Sequence, residues 1–126
     1  MHNINKILVS LVLAAASSVA LAESNSTNAQ VNAAGETTLA KLHEAETLLQ
    51  NKASNDEVLK ALNDAKQSQK EFRFEKTERL RQKFSGKLKL AYDSLKDGKT
   101  AEGTAALAEA TAIFTEMKAF YDSEHK

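Results

Sequence analysis

The sequence predicts an all-α protein, an up-down-up-down four-helix bundle built from two αα-hairpins. Proline is absent and glycine occurs at only four of 126 positions, so few residues interrupt a helix. Strong helix formers such as Ala, Leu, Lys and Glu are abundant. Apolar residues recur at the three- and four-residue spacing typical of amphipathic helices. Because no cysteine is present, we expect packing alone to hold the domain together.

The N-terminal segment has the layout of a secretory signal peptide. Lys6 supplies a positive charge, Ile7–Ala20 contains no charged residue, and small residues follow up to Ala22. This stretch is too short, and too rich in Ala and Ser, for a transmembrane helix, which needs about 20 apolar residues. No cysteine follows to carry a lipid anchor. We therefore predict cleavage after residue 22 and a periplasmic, secreted protein, with a retained signal anchor as the alternative.

Removing residues 1–22 leaves 104 residues, enough for one domain. Residues 23–30 are polar and lack periodicity, which predicts a flexible tail, and residues 31–126 then form the bundle domain. Gly35 leaves the start of the first helix open, because Thr37 is an equally good N-cap. The four predicted helices are 31–50, 55–73, 77–96 and 101–122.

The helix boundaries rest on capping and stop signals. Ser54 and Glu57 form an S-x-x-E capping box ahead of the second helix, in which Ser54 accepts from the Glu57 amide and Glu57 reaches back. Asp97-Gly98 ends the third helix, and Thr100 opens the fourth. The sequence around both turns is weakly similar, with Leu48–Glu57 echoing Ser94–Gly103, which favours a repeated αα-hairpin over chance similarity only slightly.

The middle of the chain allows two interpretations. Between Phe72 and Leu80 there is no glycine or proline to force a turn. A short turn near Phe74–Thr77 gives four matched helices, whereas the alternative is one long helix from residue 55 to 96. We favour the turn, because two layers of long helices would leave too much apolar surface exposed. The predicted core consists of Leu42, Leu49, Val58, Leu62, Phe72, Leu80, Phe84, Leu88, Leu95, Leu107, Phe114, Met117 and Tyr121.

Charge is distributed unevenly along the chain. Lys66–Lys89 contains nine bases and three acids, while the segments on either side are acidic. A basic stripe lies on the third helix, and an acidic stripe with heptad spacing lies on the fourth. The basic residues are Lys76, Arg79, Lys83 and Lys87, and the acidic ones are Glu102, Glu109 and Glu116. Ion pairs between the helices account for both stripes; a surface for a partner or for anionic lipid head groups is the second interpretation. Nucleic acid is not an expected partner, since the whole domain is nearly neutral.

Two histidine–acid pairs are the candidate metal ligands. His43 with Glu46, and Asp122 with His125, are spaced i, i+3, so each pair could share a divalent ion such as copper, nickel or zinc on one helix face. The competing interpretation places His43 on the surface and His125 at a solvated terminus. Catalytic signatures are missing from the sequence, including G-x-S-x-G, a cysteine nucleophile and a glycine-rich phosphate loop. We expect a protein that is not an enzyme.

An exposed aromatic residue is the other candidate contact. Phe72 and Phe74 are two residues apart, so one helix cannot bury both. One of them, which we take as Phe74, is expected in the turn, where it could contact an envelope protein as part of an adaptor or chaperone-like helper. A homodimer is a further expected partner, because bundles with open seams often dimerise.

The layout resembles the periplasmic small metal-binding protein family of four-helix bundles. The resemblance lies in a signal peptide followed by Ala-rich helices, in turns such as LLQNKASNDEVLKALNDAK and LKDGKTAEGTAALAEATAIF, and in the ending SEHK. It implies a four-helix bundle in the periplasm that binds divalent metal, copper or nickel especially. Most of the family's histidines are absent here, leaving His43 and His125. We therefore expect a soluble periplasmic binding protein with weak divalent metal binding or sequestration, or alternatively an envelope interaction protein that acts through its basic stripe and Phe74.

Overall fold

The computed structural model describes residues 23–125, with side chains from residue 28 onward, and over this range it is all-helical. The predicted signal peptide, residues 1–22, lies outside the described residues. A short 3₁₀ turn, Glu75–Thr77, precedes the third helix, and no strand occurs in the described range. The prediction of an all-α protein is confirmed. The four helices are α1 (Glu23–Gln50), α2 (Asn55–Gln69), α3 (Glu78–Lys96) and α4 (Thr100–Glu124). None of the helices described is long and apolar enough to cross a membrane.

The chain divides into two compact units, residues 1–30 and 31–126. Of the first unit the structure describes residues 23–30, which are helical. The first helix therefore begins eight residues before its predicted start, in the stretch predicted as a flexible tail. The buried core lies entirely within the second unit.

The middle of the chain forms two helices, not one. α2 ends at Gln69 and α3 begins at Glu78, so the long-helix alternative over residues 55–96 is wrong. Packing explains a break that no glycine or proline forces. Phe72 is fully buried, with its ring 5.1 Å from that of Phe114, and Thr77 is buried with its hydroxyl donating to the Phe74 carbonyl. A continuous helix could not direct both phenylalanines onto the bundle.

α1 and α2 are antiparallel neighbours. The hydroxyls of Thr38 and Ser68 are hydrogen-bonded at 2.8 Å, and the Lys41 ammonium lies 3.6 Å from the Asp64 carboxylate. Moving up α1 by three residues thus moves down α2 by four, as expected for helices joined by a short turn.

The other neighbouring helices are also joined by side-chain contacts. Lys118 of α4 forms an ion pair with Glu36 of α1 at 3.0 Å. Between α2 and α3, the Asn55 amide donates to the Leu95 carbonyl at 2.9 Å. α3 and α4 are linked by two interhelical ion pairs, Lys76–Glu124 and Lys87–Glu109, whose opposite numbering shows that these helices run antiparallel.

The two turns of the weak repeat have the same hydrogen bonds. After α1, the Ala53 amide donates to the Leu48 carbonyl at 2.9 Å, and after α3 the Lys99 amide donates to the Ser94 carbonyl at 2.8 Å. Both are Schellman turns with a left-handed residue after the cap. That residue is Gly98 in one turn and Lys52, at φ 55°, in the other. Lys52 therefore adopts a conformation that glycine adopts without strain.

The N-terminal cap of α2 is confirmed at Ser54, whose side chain accepts from the Glu57 amide. The Glu57 carboxylate accepts from the Ser54 hydroxyl at 3.1 Å, so it reaches back to the side chain of the cap and not to its backbone amide.

Eleven of the thirteen predicted core residues are buried, and Leu49 and Leu80 are partly buried against the core. The sequence prediction left out small residues that line the helix contacts and allow close packing. These are Ala34, Ala45, Ala61, Ala65, Ala91, Ala106 and Ala110.

Glycine at position 103 sets how closely α4 approaches α3. A Cβ atom added to Gly103 would lie 2.5 Å from Leu95 Cγ and 3.3 Å from the Ala91 carbonyl oxygen. Leu95 and Ala91 are both buried, so they have little room to move. α3 and α4 therefore pack tightly at this level.

Candidate functional site

The α3–α4 face is the outer surface shared by these two helices and the turn before α3. Its α3 residues follow one another at spacings of three or four, so they lie on one side of the helix, and the same is true of its α4 residues. On α3 and its preceding turn they are Phe74, Lys76, Arg79, Lys83, Lys87 and Leu90. On α4 they are Glu109, Ile113, Glu116, Phe120 and Glu124.

Ion pairs fix the two ends of this face. Lys76 Nζ lies 2.7 Å from Glu124 Oε1, and Lys87 Nζ lies 3.2 Å from Glu109 Oε1. The hydrogen bond from Lys76 lowers the pKa of the Glu124 carboxyl below its ordinary value. Glu124 is an acidic partner outside the predicted stripe, because Lys76 precedes α3 and reaches the far end of α4.

The centre of the face keeps its charges unpaired. Arg79, Lys83 and Glu116 are exposed, and none forms a salt bridge within 4 Å among the described residues. Glu102 lies in the first turn of α4, level with the C-terminal end of α3, where Lys87 is already paired with Glu109. The predicted match of two full stripes is thus replaced by two ion pairs at the ends and free charges between them.

An aromatic cluster occupies the end of the face near the C terminus. Phe74 is half-buried, and its ring centroid lies 5.9 Å from that of Phe120, 5.1 Å from that of Tyr121 and 5.2 Å from that of His125. Phe72 sits deeper, against Tyr121. Burial raises the pKa of the Tyr121 hydroxyl. The structure places Phe74 in the turn, with one side on the cluster and one side toward solvent.

Two large apolar side chains are exposed among the described residues, and both lie on the α3–α4 face. Leu90 is 49% exposed and Phe120 is 39% exposed. Single exposed apolar residues are common, but here the two share one surface with Ile113 and Phe74, which are partly buried. The sequence analysis missed Leu90 and Phe120, although Leu90 continues the spacing of the basic stripe.

The structure does not bring the two histidine–acid pairs together. His43 lies on α1, which pairs with α4 so that Glu36 meets Lys118; His43 is therefore level with about residue 111. His125 is some fourteen residues farther along, or about 20 Å at the rise of a helix. Within the described residues, no group of three or more His, Cys, Asp or Glu side chains could hold a metal ion.

The two pairs differ in their surroundings. His43 is exposed and Glu46 is half-buried, and neither has an ion-pair partner in the described range. Asp122 instead binds Lys118 at 2.9 Å. His125 stacks on the Tyr121 ring at 3.9 Å, and its Nδ1 lies 2.8 Å from the Tyr121 carbonyl oxygen. The Asp122–His125 pair is thus engaged with its own helix.

Lys118 is the most deeply placed charge in this region. Its side chain is 13% exposed and lies between Asp122 and Glu36. The hydrogen bond from Asp122, helped by Glu36, raises the pKa of the Lys118 ammonium above its ordinary value. This ion pair joins α1 to α4 and is structural in character.

A groove of about 420 Å³ lies between α2 and α3. Its lining combines apolar side chains with polar and charged ones. The lining residues are Leu62, Asn63, Lys66, Gln69, Ser85, Leu88, Lys89, Tyr92 and Asp93. Apart from the Asn55 contact at one end of the two helices, the described side chains form no hydrogen bond between α2 and α3, which fits a wider separation here than between α3 and α4.

Comparison of the chain with protein-family models, with curated proteins and with solved structures found no match. The functional argument therefore rests on the geometry of the α3–α4 face and the groove.

Proposed function

We propose that this chain is a non-enzymatic envelope interaction protein that binds a protein partner through its α3–α4 face. In this proposal residues 1–22 act as a cleaved signal peptide, and residues 31–126 form an up-down-up-down bundle that works in the periplasm as an adaptor or chaperone-like helper. The antiparallel contacts between successive helices support the bundle arrangement.

The position of the exposed apolar residues carries the proposal. Leu90 and Phe120, the two large apolar side chains exposed in the described range, both fall on this face. Interfaces are built around such apolar and aromatic anchors, with charged residues at the rim. Arg79 and Lys83 are exposed beside them, so the favoured partner surface combines an apolar pocket with acidic residues.

Substitution of the anchors tests the proposal. In Leu90→Ser/Phe120→Ser both changes are at exposed positions, so we expect the melting temperature to stay close to that of the wild type. Truncating two anchors of an interface should weaken partner binding by tenfold or more. The measurement is co-purification from the periplasm with the wild type, this variant and Lys60→Ser, a control on the exposed side of α2. Equal recovery of the same partners by all three proteins would refute the proposal.

Divalent metal binding at His43 and Glu46 is the second candidate function. It is supported by the i, i+3 spacing of two side chains that no ion pair occupies, and by the resemblance to the small metal-binding protein family. Two ligands give a weak site that water or a second chain must complete. The Asp122–His125 pair is less favourable, because Asp122 would have to leave Lys118.

A thermal melt of residues 23–126 with Cu²⁺, Ni²⁺ or Zn²⁺ after chelator treatment tests this candidate. Metal at one hundred times its dissociation constant adds about 2.7 kcal/mol to the free energy of unfolding. The shift should disappear in His43→Ala and persist in His125→Ala. A melting temperature that no metal changes would exclude this function and leave the α3–α4 face.

A further inference from the structure

The groove between α2 and α3 has the dimensions of a small-molecule site. Its volume of about 420 Å³ falls in the range of about 300–1,000 Å³ that is usual for ligand pockets. It lies on the side of α3 opposite the α3–α4 face, so a site here is separate from the proposed protein interface.

Gln69 indicates what the groove requires. Its residue is only 6% exposed, it lines the groove, and its side-chain oxygen Oε1 has no hydrogen-bond partner in the described part of the protein. Buried side-chain oxygens nearly always accept a hydrogen bond. An occupant of the groove that donates a hydrogen bond to Oε1 would remove this deficit.

The charge at the groove selects an anion. Lys89 is bound to Asp93 at 2.7 Å, so these two charges offset each other. Lys66 is exposed and forms no salt bridge among the described residues. It stands one helical turn from Gln69, on the same side of α2. A carboxylate beside Lys66 would therefore lie next to the donor that Gln69 needs.

The apolar lining continues from these polar groups. Leu62 precedes Lys66 by one turn, and Leu88 and Tyr92 lie opposite on α3. Leu62 and Leu88 are largely buried and Tyr92 is half-buried. The groove therefore runs from a polar end at Gln69 and Ser85 to an apolar end at Leu62 and Tyr92.

We propose that this groove binds a small carboxylic acid that has a hydrogen-bond donor next to its carboxylate and an apolar side chain. The carboxylate pairs with Lys66, the donor meets Gln69 Oε1, and the side chain packs between Leu62, Leu88 and Tyr92. Apolar α-hydroxy acids and α-amino acids share this chemistry.

Three probes distinguish these sources and test the role of the donor. They are 3-phenyllactate with a hydroxyl donor, phenylalanine with an ammonium donor, and 3-phenylpropanoate with neither. Each is titrated to millimolar concentration into residues 23–126, and amide chemical shifts are followed by NMR. We expect saturable shifts along the α2 and α3 sides of the groove, with at least one donor-bearing acid binding about tenfold more tightly than 3-phenylpropanoate.

Variants link the binding to the two polar residues. Gln69→Leu removes the unpartnered acceptor, so it should raise the melting temperature while weakening binding of the donor-bearing acid about tenfold. Lys66→Gln should weaken all three acids, since it removes the cation. Lys60→Gln, on the exposed side of α2, is the matched control and should bind as the wild type does.

Three results would overturn the proposal. The first is the absence of saturable shifts at groove residues with every probe. The second is equal binding by wild type and Lys66→Gln. The third is groove shifts that appear on raising the protein concentration alone, with a larger sedimentation coefficient, since a second copy of the chain would then fill the groove.

Discussion

Replacing Gly103 with alanine tests the packing of α3 against α4 more sharply than a drastic substitution would. In an exposed helix this change stabilises, because glycine is about 0.8–1.0 kcal/mol less favourable than alanine. At position 103 the added methyl group would lie 2.5 Å from Leu95 Cγ and 2.7 Å from its Cδ2. The two effects have opposite signs, so the measured free energy shows which one dominates.

The magnitudes predict a net loss of stability. Leu95 Cγ is the branch point of a side chain that is 1% exposed, and the Ala91 carbonyl limits movement on the other side. Adding a methyl group to such a site costs about 1–3 kcal/mol. After the gain in helix propensity, Gly103→Ala should lower the free energy of unfolding by up to about 2 kcal/mol.

Gly86→Ala is the matched control. Gly86 lies within α3 and is exposed, and an added Cβ atom would meet no atom within 4 Å. This variant should gain about 0.5–1 kcal/mol, which raises the melting temperature of a domain of this size by several degrees. Circular dichroism melts of both variants give the comparison. If Gly103→Ala were stabilised as much as Gly86→Ala, the close approach of α3 and α4 would be wrong.

Three further changes follow from single contacts. Leu107→Asp puts an unpaired charge in the core, at a cost of several kcal/mol against a total of about 5–15; its circular dichroism spectrum should show unfolding, whereas exposed Leu90→Asp should melt as the wild type does. Lys52→Gly should raise the midpoint of urea unfolding by up to about 1 kcal/mol in stability, because it relieves a left-handed lysine, and a lower midpoint would count against that turn. Folding raises the pKa of Lys118 above its ordinary value of 10.5, so its contribution is complete below that pH and is lost as the pH rises through the raised pKa. The melting temperature should therefore fall more steeply above pH 10.5 in the wild type than in Lys118→Met, and identical profiles would show that the ion pair contributes nothing.

The helices could be predicted from the sequence because local signals mark them. The apolar spacing gave the core side of each helix, and Ser54 and Gly98 marked a start and an end. The end of α2 was placed four residues too late, at 73 and not at Gln69. That boundary is set by the burial of Phe72 and Thr77 against other helices, which no local signal reports.

The surface was harder to predict because it depends on how two helices register. The spacing of the basic stripe was visible, but its partners were not, since Lys76 meets Glu124 and Lys83 meets no acid within 4 Å in the described range. Gln69 carried no signal at all. A glutamine near a helix end looks solvent-exposed in a sequence, and only the packing of α2 and α3 reveals that its oxygen is buried.

Site-specific photocrosslinking in the periplasm is the most direct test of the α3–α4 face as a protein interface. A photoreactive amino acid is placed at Leu90 or Phe120, and at Lys60 as the control on α2. The interface predicts that the same partner is crosslinked from both positions on the face and not from Lys60. Crosslinks from Lys60 to that partner, with none from Leu90 or Phe120, would contradict it.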